Sequence, residues 1–277
     1  MKKVLILGSA GMAGHMLYKY FKSNENYQVM GIARNKDYGF CDLALDINSK
    51  FATLPNLIKK VEFDFVINCI GLLIKDSQDD LSNAIFINGF FPQHLAFVTN
   101  NMKTKVIHLS TDCIFSGKKG PYHEKSEPDG EGNYAKTKYL GEINNGKDLT
   151  VRMSIIGPEL KPNGTGLFQW FMKQQGEIKG YSEAIWNGMT TYELAKQIDK
   201  LMSTNLTGIY NLAPNFHISK YELLCELQLV YDKRDVTITP DNTVVLDKTL
   251  VTNRSKEYYP GIPSYIEQLE ELKEFYK

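Results

Sequence analysis

The sequence predicts an α/β fold, a doubly wound parallel sheet with a smaller C-terminal lobe. Three observations lead there. Short apolar runs alternate with helix-like stretches through the first part of the chain, a glycine-rich turn links the first run to the first helix, and the rhythm breaks at Gly157-Pro158. Near-continuous apolar strands that alternate with helices indicate a parallel sheet covered on both faces.

In order, Val4 to Leu7 reads as a buried strand closed by Gly8, Met12 to Phe21 as a helix, and Val29 to Ala33 as a second strand. The pattern repeats: helix-like Lys50 to Lys60 precedes strand-like Phe63 to Ile70, and Pro92 to Asn101 precedes Lys105 to Leu109. A loop from Gly117 to Gly132 leads to a helix near Asn133, and Leu149 to Ile156 reads as a sixth strand. Beyond it come helices over Leu167 to Gln175, Tyr192 to Met202 and Lys220 to Val230, with short strands near Ile209 and over Val236 to Ile238. The final helix starts with a capping box, Ser264 and Glu267, and sets Ile266, Leu269 and Tyr276 near one face. No repeat or low-complexity linker separates the two parts.

Composition narrows the function. The 32 basic and 32 acidic side chains of the 277 residues cancel, so no overall field draws the chain to nucleic acid or an anionic bilayer. An anionic ligand must be caught locally. No stretch approaches the roughly 18 apolar residues of a membrane span. The apolar start, MKKVLILG, stops at Gly8 without a cleavage site, so it reads as a strand and not a signal peptide. Cys41, Cys69, Cys113 and Cys225 are scattered, with no CxxC, which fits a reducing compartment; the expected location is the cytoplasm. The five histidines show no metal spacing, and no metal is expected. The Asn-x-Ser/Thr triplets at Asn163, Asn205 and Asn253 are then coincidences.

Gly8, Gly11 and Gly14 stand three apart between the first strand and the first helix, which Met12 opens. Glycines there let the backbone approach a pyrophosphate, whose charge faces unpaired N–H groups at the helix N-terminus. This position, more than the triplet itself, points to a dinucleotide and to the Rossmann-type arrangement. A carboxylate at the end of the second strand would bind an adenosine ribose, but residues 28–34 contain no acid and Arg34 stands there instead. A guanidinium suits a 2′-phosphate, so NADP(H) is favoured over NAD(H); the plain alternative is a solvated arginine. Asp46 and Ile47 could bracket the adenine, although an isolated Asp is usually a turn or cap residue.

A ketone that accepts hydride becomes an alkoxide and needs a proton donor within reach. Tyrosine serves if a nearby ammonium stabilises its phenolate, and a lysine four residues later lies one helical turn away. Tyr-x-x-x-Lys occurs at Tyr18/Lys22, Tyr134/Lys138 and Tyr192/Lys196. Only Tyr134/Lys138 follows the strand ending in Leu109-Ser110-Thr111, which brings both segments to the carboxyl edge of the sheet, and Thr111 or Ser110 could there bind the ketone oxygen. Cys113 reads as a small pocket residue rather than a nucleophile. Trp186 could stack on a base or sugar or be mere packing, Arg152 could bind diphosphate or cap the core, and Lys118-Lys119 reads as a solvated loop.

Gly8-Ser-Ala-Gly11-Met-Ala-Gly14, Ser110-Thr111-Asp112-x-Ile-Phe115-Ser-Gly117, Tyr122-x-Glu124, Tyr134-Ala-Lys-Thr-Lys138-x-x-Gly141-Glu142 and Val151-Arg152-x-Ser154 together resemble the dTDP-4-dehydrorhamnose reductase family of extended short-chain dehydrogenases/reductases. Thinner likeness continues through Asn187 to Thr191 and Gly208 to Asn211. The resemblance implies a Thr111/Tyr134/Lys138 triad, with Lys138 also on the nicotinamide ribose, and a cofactor lined by Asn68 to Gly71, including Cys69 and Ile70. It further implies NADPH-dependent reduction of a 4-keto deoxy sugar on a nucleotide diphosphate, in surface polysaccharide precursor synthesis.

On this reading residues 1–157 bind NADP(H), segments at about 186–212 are admitted as returning to that domain, and 158–277 form mainly a discontinuous substrate lobe. Ser110, Asp112, Cys113, Arg152, Trp186 and Asn187 are the expected substrate contacts. Cys113 replaces a tyrosine usual in the family, and Trp186 to Thr191 replaces a Gly-x-Pro-Thr-like segment, which leaves a UDP-linked acetamido sugar as rival to a dTDP-linked deoxyhexose. A nucleotide-sugar 4-epimerase with tightly bound NAD and a non-catalytic regulatory subunit of the same fold are the alternatives. Dehydration is disfavoured, since Asp112 is followed by Cys113 and not Glu. The residues leave the subunit count open, with a homodimer admitted.

Overall fold

The computed structural model describes residues 1–277. The chain opens β1 (Lys2–Leu7), α1 (Met12–Lys22), β2 (Tyr27–Ala33) and β3 (Leu43–Ala44), then α2 (Ile47–Lys50), α3 (Leu54–Val61) and β4 (Phe65–Asn68). Helical chain follows as α4 (Ile74–Asp79), α5 (Leu81–Ala84), a π turn (Ile85–Phe90) and α6 (Phe91–Val98). Next come β5 (Lys105–Leu109), α7 (Gly132–Leu140), β6 (Leu149–Arg152) and β7 (Ile155–Ile156). The remainder comprises α8 (Leu167–Met172), β8 (Gly176–Tyr181), β9 (Ala184–Trp186), β10 (Met189–Thr190), α9 (Thr191–Leu201) and β11 (Gly208–Asn211). It ends with β12 (Ile218–Ser219), α10 (Lys220–Tyr231), β13 (Val236–Asp241), β14 (Leu246–Asp247) and α11 (Tyr265–Tyr276).

The central sheet is seven-stranded, in the order β11-β6-β5-β4-β1-β2-β3, and parallel throughout. The order reverses between β1 and β4, so their carboxyl ends splay apart there, the place where such sheets hold ligands. Both faces are covered. One carries a core of 21 side chains that includes Val4, Ile6, Leu17 and Phe21; the other joins Leu5, Leu7 and Val66 to Ile58 of α3 and Phe91 and Leu95 of α6. This is why β1 and β4 are apolar on consecutive residues instead of alternating.

Residues Met189 to Leu212 return to the first core, where they supply nine of its 21 members, and β11 pairs with β6 from Gly208↔Leu149 to Asn211↔Arg152. A separate core of 12 side chains, among them Phe171, Trp186, Leu223, Leu227 and Leu269, holds the rest of the C-terminal chain together.

Several local expectations change. The segment Leu149 to Ile156 is two strands: Met153-Ser154 leaves the main sheet, and β7 pairs with β10 instead. The expected helix over Lys50 to Lys60 is divided, because Pro55 suits only a helix start and the chain tightens into a 3-10 turn before it. The capping box of α11 forms with both reciprocal bonds, but Tyr265, Gln268, Leu269 and Leu272 face inward while Ile266 is exposed.

Candidate active site

The turn after β1 is built from close backbone approaches. Gly8 has φ +80°, and an added Cβ there would stand 3.1 Å from the Cys69 carbonyl carbon and 3.0 Å from the Ile70 side chain. At Gly14 an added Cβ would lie 2.0 Å from the Gly8 carbonyl oxygen, so the helix start packs directly on the turn. Gly11, at the N-cap of α1, offers no side chain, and the N–H groups of Met12, Ala13 and Gly14 have no protein acceptor. Open N–H groups with a positive helix end suit an anion such as a pyrophosphate.

Around this turn, Arg34 is exposed just beyond β2. Asp46 accepts from the Asn48 N–H at 3.0 Å as the N-cap of α2, and Ile47 is buried in the core beneath. The end of β4 connects the turn to the next element: Asn68 hydrogen-bonds His108 on β5 at 3.1 Å, Cys69 and Ile70 press on Gly8, and Gly71 follows.

Thr111 leaves β5 in extended conformation and caps the short turn Asp112–Ile114. Its hydroxyl accepts from the Cys113 N–H at 3.1 Å and donates to the Asp112 carboxylate at 3.1 Å. Helix α7 is pinned against this edge by Asn88 of the π turn, whose amide donates to Thr137 at 3.2 Å, and by Asn133, which donates to the Ser77 carbonyl at 3.1 Å. Tyr134 and Lys138 therefore stand one turn apart on a held face. Tyr134, Cys113, Asn133, Ile74 and Lys248 line a cleft of about 110 Å³.

Tyr134 stays partly exposed along that cleft while its phenol oxygen is surrounded by protein. Burial pushes its pKa well above the usual tyrosine value, the Cys113 and Asp112 groups add to the rise, and a hydrogen bond with Thr111 works against it. The Lys138 ammonium has a backbone partner at the end of β5: Nζ donates to the Leu109 carbonyl at 2.8 Å, and an added Cβ on Gly71 would lie 3.8 Å from it. Burial lowers the Lys138 pKa to about 8, with Glu142 and Cys69 opposing the fall. Burial likewise pushes the Cys69 and Cys113 thiols up to about 12, which fits bystanders and not nucleophiles.

The other two Tyr-x-x-x-Lys pairs differ visibly. Lys22 lies over the Tyr18 ring at 5.5 Å and Lys196 over the Tyr192 ring at 5.4 Å, so each lysine covers its own tyrosine away from the sheet edge.

Four expected substrate contacts are overturned. Arg152 is 2% exposed and its guanidinium is committed to Glu142, with Nε–Oε1 at 2.8 Å and Nη2–Oε2 at 2.7 Å, so it cannot meet a diphosphate. Ser110 donates to the same Glu142 carboxylate at 2.7 Å. Trp186 is buried, bonded through its indole N–H to Ser154 at 2.7 Å and stacked on Tyr265, leaving no face for a base. Asn187 uses its amide on the Leu250 backbone, N–H at 2.9 Å and carbonyl at 2.7 Å, and so staples two loops. Asp112 and Cys113 do stand beside Thr111.

Sequence reasoning missed two lysines here. Lys220, at the start of α10, lies over the Trp186 ring at 4.4 Å and shares its electrostatic surroundings with Asp112 and Cys113; burial lowers its pKa to about 8. Lys248, just after β14, lines the Tyr134 cleft. Nothing local marks either one, because each reaches the site only through the folding of the C-terminal chain.

The model of the family described as "RmlD substrate binding domain" matches residues 1–243. The chain belongs to this RmlD family. Among its relatives, the spore coat polysaccharide biosynthesis protein SpsK of Bacillus subtilis is 26% identical over 228 residues, covering 80% of this chain and 77% of that protein. Methionine adenosyltransferase 2 subunit beta of Xenopus laevis is 27% identical over 244 residues, covering 82% and 71%. In fold, this RmlD family member superposes on the dTDP-4-dehydrorhamnose reductase of Bacillus anthracis in complex with NADP, with TM-score 0.82, 21% identity and 100% of both chains covered. No helix is long and apolar enough to cross a membrane.

Proposed function

We propose that the chain uses NADPH to reduce the 4-keto group of a deoxy sugar carried on a nucleotide diphosphate. The observation that carries this is the meeting of Thr111, Tyr134 and Lys138 at the carboxyl end of β5, linked through Cys69 to Gly71 with the open glycine turn. Membership of the RmlD family supports it, as does the NADP complex of the Bacillus anthracis reductase.

The residues fit the cofactor. Gly8, Gly11, Met12 and Gly14 would hold the pyrophosphate, Arg34 the 2′-phosphate, Asp46 the adenosine end with Ile47 packed beneath it, and Cys69, Ile70, Gly71 and Lys138 the nicotinamide half. When bound, the nicotinamide supplies hydride to the carbonyl carbon. Tyr134, kept protonated at neutral pH by burial, donates its phenol proton to the oxygen. Thr111, whose hydroxyl accepts from the Cys113 N–H and donates to Asp112, would turn that single proton from Asp112 to the sugar oxygen to hold it in place. Lys138, held beside the Leu109 carbonyl, would bind a ribose hydroxyl of the cofactor.

A second reading, a non-catalytic subunit of the same fold, is suggested by the relatives named methionine adenosyltransferase 2 subunit beta. One experiment separates the two: NADPH oxidation followed across dTDP-, UDP- and GDP-linked 4-keto sugars with wild type and Tyr134→Phe. The reductase reading expects turnover with at least one sugar, lost in the variant while NADPH still binds. Undiminished turnover in Tyr134→Phe would remove the proposed acid.

A further inference from the structure

Lys220 carries a charge that none of the proposed steps uses. It opens α10 at the first helical position, where an ammonium meets the positive end of the helix dipole, and Glu222 of the same turn is committed to the Ser219 capping box. Burial lowers the Lys220 pKa to about 8, so the group is charged at neutral pH. It nevertheless makes no ion pair, although Lys196 pairs with Glu193 at 2.6 Å and Lys118 with Glu131 at 3.0 Å.

A run of contacts sets it beside Asp112. The Asp112 N–H donates to the Met153 carbonyl at 3.2 Å, the adjoining Ser154 accepts from the Trp186 indole at 2.7 Å, and Lys220 Nζ stands 4.4 Å from the centre of that ring. The titratable groups facing Lys220 are Asp112 and Cys113. The Cys113 thiol, pushed up to about 12 and also near Lys248, is neutral, which leaves Asp112 as the one anion. Asp112 is buried, and its carboxylate accepts from the Thr111 hydroxyl at 3.1 Å and from the weak Cys113 donor. In the reductase reading Thr111 turns its single proton to the sugar oxygen, and Tyr134 gives up its own. Asp112 then loses its better donor while a second negative charge forms close by, an arrangement that needs a cation.

We propose that Lys220 is a positioning residue, the counter-charge of Asp112, which frees the Thr111 hydroxyl for the sugar oxygen and offsets the carboxylate as the phenol loses its proton. The C-terminal lobe thereby completes the acid side of the site. The pairing with Asp112 stands on the geometry alone; its part in turnover rests on the reductase reading. Two measurements follow that division. Steady-state kinetics with NADPH and a 4-keto sugar nucleotide that wild type reduces compare wild type, Lys220→Met, Lys220→Arg and the double variant Asp112→Asn/Lys220→Met. The titration of Lys220 is followed by NMR of isotope-labelled methyl groups placed on the lysines, in wild type and Asp112→Asn, with Lys220→Arg assigning the signal.

Lys220→Met should lower kcat by about tenfold to a hundredfold, the loss of one charge-assisted contact, with KM and NADPH affinity little changed. Lys220→Arg should keep most of the activity, and Asp112→Asn/Lys220→Met should turn over faster than Lys220→Met because no anion is left to balance. Without sugar, Lys220 should titrate at about 8 in wild type and lower by about one pH unit in Asp112→Asn. A double variant as slow as Lys220→Met overturns the proposal, as does a rise in KM with kcat intact, which would make Lys220 a substrate contact. An unmoved titration in Asp112→Asn overturns the pairing itself. If wild type reduces no sugar, the reductase reading fails, and the titration alone then decides whether Lys220 and Asp112 are paired.

Discussion

Replacing Glu142 by Ala should destabilise the fold more than it disturbs any ligand. Glu142 and Arg152 have side chains 2% exposed, and the pair is closed by Nη2–Oε2 at 2.7 Å and Nε–Oε1 at 2.8 Å, with Ser110 as a further donor at 2.7 Å. The variant leaves a buried guanidinium with only the Glu124 carbonyl, at 3.1 Å, and the Phe115 ring, 5.4 Å away. Breaking a buried pair from one side costs about 3–5 kcal/mol. An unfolding entropy of about 2.1 cal/mol/K per residue gives about 0.6 kcal/mol/K for a chain of this length, so Tm should fall by about 5–9 °C. Scanning calorimetry of wild type, Glu142→Ala and the double variant Glu142→Leu/Arg152→Met reads this directly. The double variant should recover most of the loss, because the stranded charge is gone. A fall of under 1 °C in Glu142→Ala would refute the reasoning.

Activity should also carry the mark of the buried lysines. Lys138 and Lys220 have pKa values lowered to about 8, so each is charged below that pH and neutral above it; kcat/KM should decline as pH rises past about 8, and a profile flat to about pH 9.5 would show that neither charge matters. In stability the sign is opposite. The folded chain binds fewer protons than the unfolded one between about 8 and the ordinary lysine value, so the cost of burying these ammonium groups is full below that window and relieved above it. Arg34→Ala should weaken NADPH by about tenfold to a hundredfold and NADH little, measured by fluorescence titration; equal weakening would remove the case for a 2′-phosphate contact.

The parts of the site that were legible in the sequence are those that local chemistry dictates. The glycine spacing follows from a turn that must pack on its own helix, and the Tyr134/Lys138 pair from one helical turn. Apolar β1, β4 and β5 announced a sheet buried on both faces. What failed was partner assignment for polar groups brought together from afar. Arg152 and Glu142 are ten residues apart, and nothing in either segment says that their charges will be spent on each other. Trp186 looked available because an aromatic in a loop carries no sign of Tyr265 lying against it. Lys220 began an ordinary helix with the Ser219/Glu222 capping box, and only its contact with Trp186 reveals where its charge is delivered.

The late return of β11 bears on how the chain is made. A ribosome that has released residues up to Arg152 has produced six strands of the sheet but not the seventh, so β6 waits with an unpaired edge and a bare apolar face. Residues 153–207 must emerge before β11 and Leu212 can close that face. Assembly of the first core during synthesis is thereby delayed, and a nascent chain stalled near Gly157 would expose the sticky margin that molecular chaperones bind.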